Sequence, residues 1–85
     1  MGDISRATEA IINLLEPIIE EDNQESANKV YETLSAVIDY PNVEFSDKLS
    51  IIHGVARFLI RNCGVDSLMT VAALRISIEH NNMLN

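Results

Sequence analysis

Few residues in this chain carry the groups that chemistry needs, and they are scattered. The imidazoles belong to His53 and His80, the single thiol to Cys63, and Ser67 follows an aspartate. A metal site requires nitrogen, sulfur or oxygen donors converging at set spacing. No two of His53, Cys63 and His80 stand three or four residues apart, as one helix face would demand. The acids from Glu20 to Glu25 crowd together but lack the alternating ligands and central glycine of a calcium loop. Catalysis by proton transfer or nucleophilic attack needs a base beside its nucleophile, or paired carboxylates. Here both histidines lie in the second half of the chain and most carboxylates in the first. His53 reads as a residue flanking a helical stripe, Cys63 as buried, and His80 as a helix C-terminal residue favoured by the dipole. The expectation is a protein that is not an enzyme and holds no metal or cofactor.

The string Gly64-Val65-Asp66-Ser67-Leu68-Met69-Thr70-Val71 is the exception. It resembles the phosphopantetheine-attachment motif of acyl carrier proteins, a family that is also small, acidic and helical. The resemblance implies that Ser67 carries the prosthetic arm. In that family the motif opens the second helix, near mid-chain, and the helix behind it is acidic. Here the motif lies close to the C-terminal end, and Met69, Ala72, Ala73 and Arg75 follow it. The residues alone have a simpler reading: Gly64 stops a helix, Asp66 caps the next, and Leu68 and Val71 belong to the core.

The elements that must position these groups are helices. Ile4, Ala7, Ile11, Leu14 and Ile18 step by three and four, as do Ala27, Val30, Leu34 and Val37, then Leu49, Ile52, Ala56, Leu59 and Cys63. Such spacing puts each set on one side of an α-helix. Helix 1 starts near Asp3 and continues, kinked at Pro17, towards Glu20 and Glu21. Asp22 and Glu25 resemble a capping box opening helix 2, which Pro41 ends. Ser46 caps helix 3, and Gly64 ends it. Helix 4 runs to about His80. These features predict an all-α fold: a compact four-helix bundle with antiparallel neighbours, one domain over residues 1–80, and a loose tail at 81–85.

Helix 4 is apolar on both sides. Val71, Leu74 and Ile78 cluster on one side, and Met69, Ala72, Ala73 and Ile76 nearly opposite. On helix 3, Ile51, Val55 and Phe58 widen the apolar arc, beside Arg57 and Arg61. A helix that is apolar all round wants burial all round, which three neighbours in an 85-residue chain hardly provide. The implied answer is a second copy: a homodimer through helix 3 or helix 4, with Ile51, Val55, Phe58, Arg57, Arg61, Val71, Leu74 and Ile78 as interface residues.

Charge bounds the choice of partner. Residues 1–47 hold eleven of the thirteen acids and a net charge of −9, whereas residues 48–85 carry +2, for −7 overall. A negative domain with four aromatic residues and no tryptophan is poorly suited to direct nucleic-acid binding. No stretch of about 20 apolar residues suggests a membrane span, and the apolar run near the start is interrupted by Glu9, Glu16 and Pro17. With one cysteine, the chain reads as cytoplasmic. The leading expectation is a small non-catalytic protein that binds another protein as a regulator, adaptor or inhibitor. The alternative is an acidic neutraliser of a toxic or nucleic-acid-acting protein, of the immunity or anti-restriction kind. Its working face would comprise Glu9, Glu16, Glu20, Glu25, Glu32 and Asp39.

Overall fold

Pro17 shapes the first quarter of the chain. A computed structural model describes residues 2–81. Its first helix, α1 (Gly2–Leu15), stops two residues before the proline. Proline lacks an amide donor and pushes the residue before it out of the α region. The expected kinked helix is therefore a straight stop. Glu16 N–H still donates to Ile12 O at 2.9 Å, then Ile18 and Ile19 both donate to Leu15 O at 2.8 and 3.0 Å as the chain turns.

Three more helices follow: α2 (Gln24–Asp39), α3 (Phe45–Cys63) and α4 (Leu68–Asn81). Together they form a four-helix all-α bundle, with no strand among the described residues. Met1 and residues 82–85, which include most of the expected loose tail, lie outside the described residues.

The caps differ from the sequence expectation. Asn23, not Asp22, caps α2: its side chain accepts from Ser26 N–H at 2.8 Å. Glu44 occupies the N-cap of α3 without a side-chain bond, and Ser46 lies inside the helix. Gly64 ends α3 at φ 91°, a conformation that favours glycine, while its N–H reaches Ile60 O at 3.1 Å.

Asp22 caps α4 from across the chain. Its Oδ1 accepts from Leu68 N–H at 3.0 Å and from the Ser67 hydroxyl at 3.2 Å. The Ser67 Oγ in turn accepts from Met69 N–H at 3.2 Å. Asp66, expected in this role, is exposed. A carboxylate at this end satisfies free donors and suits the positive end of the helix dipole.

Packing follows from these ties. Asp22 meets Leu68 at one end of the pair α2–α4, and Tyr31 meets Glu79 further along. Sequence position advances together on both, so α2 and α4 run parallel. Between α3 and α4 the chain doubles back, bringing His53 to Ser77 and Gly64 to Thr70. The helix α1 packs chiefly on α3, rather than on its sequence neighbour α2. Gly54 permits that approach, because a Cβ there would stand 2.8 Å from the Thr8 methyl.

One core joins the helices. Leu15, Val30, Leu34, Ile52, Val55, Leu59, Met69 and Ile76 are fully buried. Burying each such side chain contributes about 1.5–3 kcal/mol. The face of α1 that points inward is turned from the expected stripe. Leu15 is buried and Ile11 and Ile12 pack on the core, whereas Leu14 is 64% exposed.

Asp22→Ala should lower stability by about 1–2 kcal/mol, the usual cost of a lost cap. Asp22→Asn, which keeps an acceptor oxygen, should lose less. Urea denaturation of both variants checks this, and equal losses would deny the cap its role.

Candidate functional site: two apolar surfaces

The interface residues expected from the sequence divide into three groups. Val55 is fully buried in the core, and Ile51 is 7% exposed, its small remaining surface lining the space between α1 and α2. Their β-branched side chains widen the apolar arc of α3 on its inward side. Phe58 and Leu74 are half-buried and pack against the core. Val71 and Ile78 remain open, at 49% and 63% exposure. Arg57 and Arg61 are exposed, with no carboxylate within 4 Å among the described residues.

The open side chains of α4 form one surface. The helix buries Met69, Ala72, Ala73 and Ile76. Ala72 and Ala73 are small enough to let α2 and α3 approach closely, which selects that side as the inner one. Leu68, Val71 and Ile78 are left outside, with Arg75 between the last two. Arg75 is held in place: its guanidinium lies 5.5 Å from the centre of the Tyr31 ring and its Nε 3.6 Å from Glu79. Tyr31 donates to Glu79 Oε1 at 2.6 Å. That bond raises the Tyr31 pKa above its ordinary value, because ionisation would set a phenolate against a carboxylate.

The second surface was not foreseen. Since α1 leans on α3 and α2 on α4, the two leave an open groove of about 470 Å³ between them. Ala7, Ala10, Ile11 and Leu14 form one wall, and Thr33, Ala36, Val37 and Tyr40 the other. Ile51 closes it from α3. Leu14 and Tyr40 stand open at its edges, each more than 60% exposed. At the end where α2 stops, Lys48 Nζ donates to Ile38 O at 2.6 Å and is thereby held to the helix terminus. The signal for this groove lay in the alanines: at positions that ought to face a neighbouring helix, they fill too little space to meet one.

The six acids are spread over α1, the connection after it and α2. Glu9 lines a cleft with Gly54 and Arg57, and Glu20 lines another with Glu25 and Lys29. Glu16 is exposed. Glu25, Glu32 and Asp39 form a row, seven residues apart along α2.

The groups with chemical potential are engaged separately. His53 Nε2 shares a 2.7 Å bond with Ser77 Oγ, and His80 Nδ1 lies 3.0 Å from Ile76 O. Among the described residues no three His, Cys, Asp or Glu side chains converge as metal ligands would. Cys63 is half-buried; burial raises its pKa, the Asp22 charge adds to this, and a hydrogen bond with Ser67 opposes it. Ser67 is 3% exposed, with its hydroxyl engaged by Asp22 and Met69. Attachment of a prosthetic arm needs an accessible hydroxyl, so this geometry opposes the carrier reading.

No helix among the described residues is long and apolar enough to cross a membrane. Comparison of the chain with models of known protein families, with characterised proteins and with solved structures finds no match. The functional reading therefore rests on the two surfaces.

With a raised folded-state pKa, the Tyr31 bond should contribute its full stability below the ordinary tyrosine pKa of about 10. That contribution is lost as pH rises through the folded value. In a Tyr40→Phe chain, ultraviolet titration follows Tyr31 alone. Adding Glu79→Ala should bring its pKa down, and an unmoved curve would clear Glu79 as the cause.

Proposed function

We propose that this chain is a small non-catalytic, cytoplasmic protein that acts by binding other proteins, as a regulator, adaptor or inhibitor, and that it does so as a homodimer. The observation that carries the reading is the outer side of α4. Leu68, Val71 and Ile78 remain exposed on a helix whose opposite side is already committed to the core. Their spacing of three and seven places them along one line of the helix. A second copy laid against that line would bury them in an isologous contact, each α4 meeting its equivalent. Arg75, interleaved in the line and anchored by Tyr31 and Glu79, would limit the register of such a pair.

Light scattering should give twice the 9.5 kDa chain mass. The double variant Val71→Glu, Ile78→Glu should run as a monomer with unchanged helix content. These positions are exposed, so the substitutions spare the core. Loss of such anchors should weaken self-association by about 2 kcal/mol or more. A single-chain mass at high concentration rejects the dimer.

The row of Glu25, Glu32 and Asp39 favours a second reading, the acidic neutraliser of a toxic or nucleic-acid-acting protein. Salt separates the two. The Debye length falls from about 10 Å at 0.1 M to 3 Å at 1 M, so contacts between exposed charges fade. A complex made by the acidic row should weaken steeply over that range, while self-association through Val71 and Ile78 should persist.

A further inference from the structure

We propose that the groove between α1 and α2 is a docking site for an amphipathic helix of another protein, one that carries lysine or arginine along one flank. The proposal rests on the protein-binding reading, but not on the homodimer, which uses other residues.

The shape of the groove argues for a helix. Both walls present side chains at the same spacing, i, i+3, i+4 and i+7. That is the pattern a third helix meets when its ridge lies between two others. From the first to the last wall residue each helix advances about 10 Å, or two turns. An incoming helix of that reach offers three apolar anchors at i, i+3 or i+4, and i+7. The alanines leave the space for them. Ala10 and Ala36 are exposed, and Ile11, Val37 and Ile51 provide the apolar bed.

The charge argues for a basic flank. Glu32 and Asp39 lie four residues before and three after Ala36, so both border the α2 wall. Both are exposed. Glu25, further along the same row, is near Lys29, with Nζ to Oε1 at 3.7 Å. Among the described residues no cation lies within 4 Å of Glu32 or Asp39. Lys48, the cation at the groove itself, is occupied by Ile38 O. A partner helix would thus find apolar contact between the walls and two unneutralised carboxylates along one edge.

The test uses the full chain and two synthetic helical peptides of about 15 residues, long enough to hold helical structure on binding. Each carries a leucine stripe; one has lysines on its flank and the other glutamates. Calorimetric titration at low salt should show the lysine peptide binding at least tenfold tighter. Ala10→Phe with Ala36→Phe fills the groove from exposed positions and should abolish binding without lowering the melting temperature. Glu32→Lys with Asp39→Lys should reverse the preference between the peptides. The proposal is overturned if the two peptides bind alike, if neither binds, or if the filled groove binds as well as the open one. It is equally overturned if the filled groove turns a dimer into a monomer, since the occupant is then a second copy. It also fails if an apolar dye enters while both peptides stay out, since the groove then takes small ligands. Apart from the dimer-to-monomer outcome, which would also move the dimer contact away from α4, none of these results touches the dimer test at Val71 and Ile78, so failure of peptide binding and failure of the dimer are told apart.

Discussion

The carboxylate of Asp22 joins two ends of the bundle that lie far apart in the chain. It sits in the connection after α1, yet it serves the first free amide of α4 and the Ser67 hydroxyl. By that contact α2 starts beside the start of α4 and runs along it in the same direction. The chain then reverses into α3 and again into α4, which closes a three-helix unit. Helix α1, released at Pro17, is left to pack on α3, where Gly54 has no side chain to keep Thr8 away.

Both open apolar surfaces are consequences of that arrangement. An α4 enclosed by α2 on one side and α3 on the other must expose whatever lies on its third side: Leu68, Val71 and Ile78. An α1 that leans on α3 cannot also fill the space beside α2, so the groove stays open between their alanines. The molecule is thus built with apolar area that a single copy does not cover. The charge distribution sorts the two surfaces. The groove borders the acidic row of α2, while the open side of α4 lies in the half of the chain with a small positive balance.

Much of the architecture was legible in the order of residues. The stripes of helices 2 and 3 name mostly buried positions: Ala27, Val30, Leu34, Leu49, Ile52, Ala56 and Leu59 fall in the interior, while Val37 and Cys63 at the stripe ends are half-buried. Gly64 ends α3 as its position suggests. Helix 1 misled because Ile11, Ile12, Leu14 and Leu15 spread apolar character over a wide arc, and periodicity cannot say which part of such an arc faces inward. The caps misled for a different reason. Asp22, Asn23, Asp66 and Ser67 are all capable acceptors, and local spacing favours local pairs, whereas Asp22 found its donors 45 and 46 residues away. Of the apolar positions read as surface on α3 and α4, Val71 and Ile78 lie outside, whereas Val55 is in the core and Ile51 is nearly buried beside the groove, because periodicity alone cannot say how wide an arc the neighbouring helices cover.

The sequence by itself determined the helices, because apolar period, proline and glycine act within a few residues of where they stand. It also set the lopsided charge, which is a matter of counting. Only the tertiary structure decided which side of α4 is inner, which way α1 turns, and that a groove opens between α1 and α2. Those outcomes depend on contacts between residues far apart in the chain, such as Thr8 with Gly54, Asp22 with Leu68 and Tyr31 with Glu79. A helix carries the chemistry of its faces in its own sequence, but the choice among apolar faces belongs to whatever packs against it.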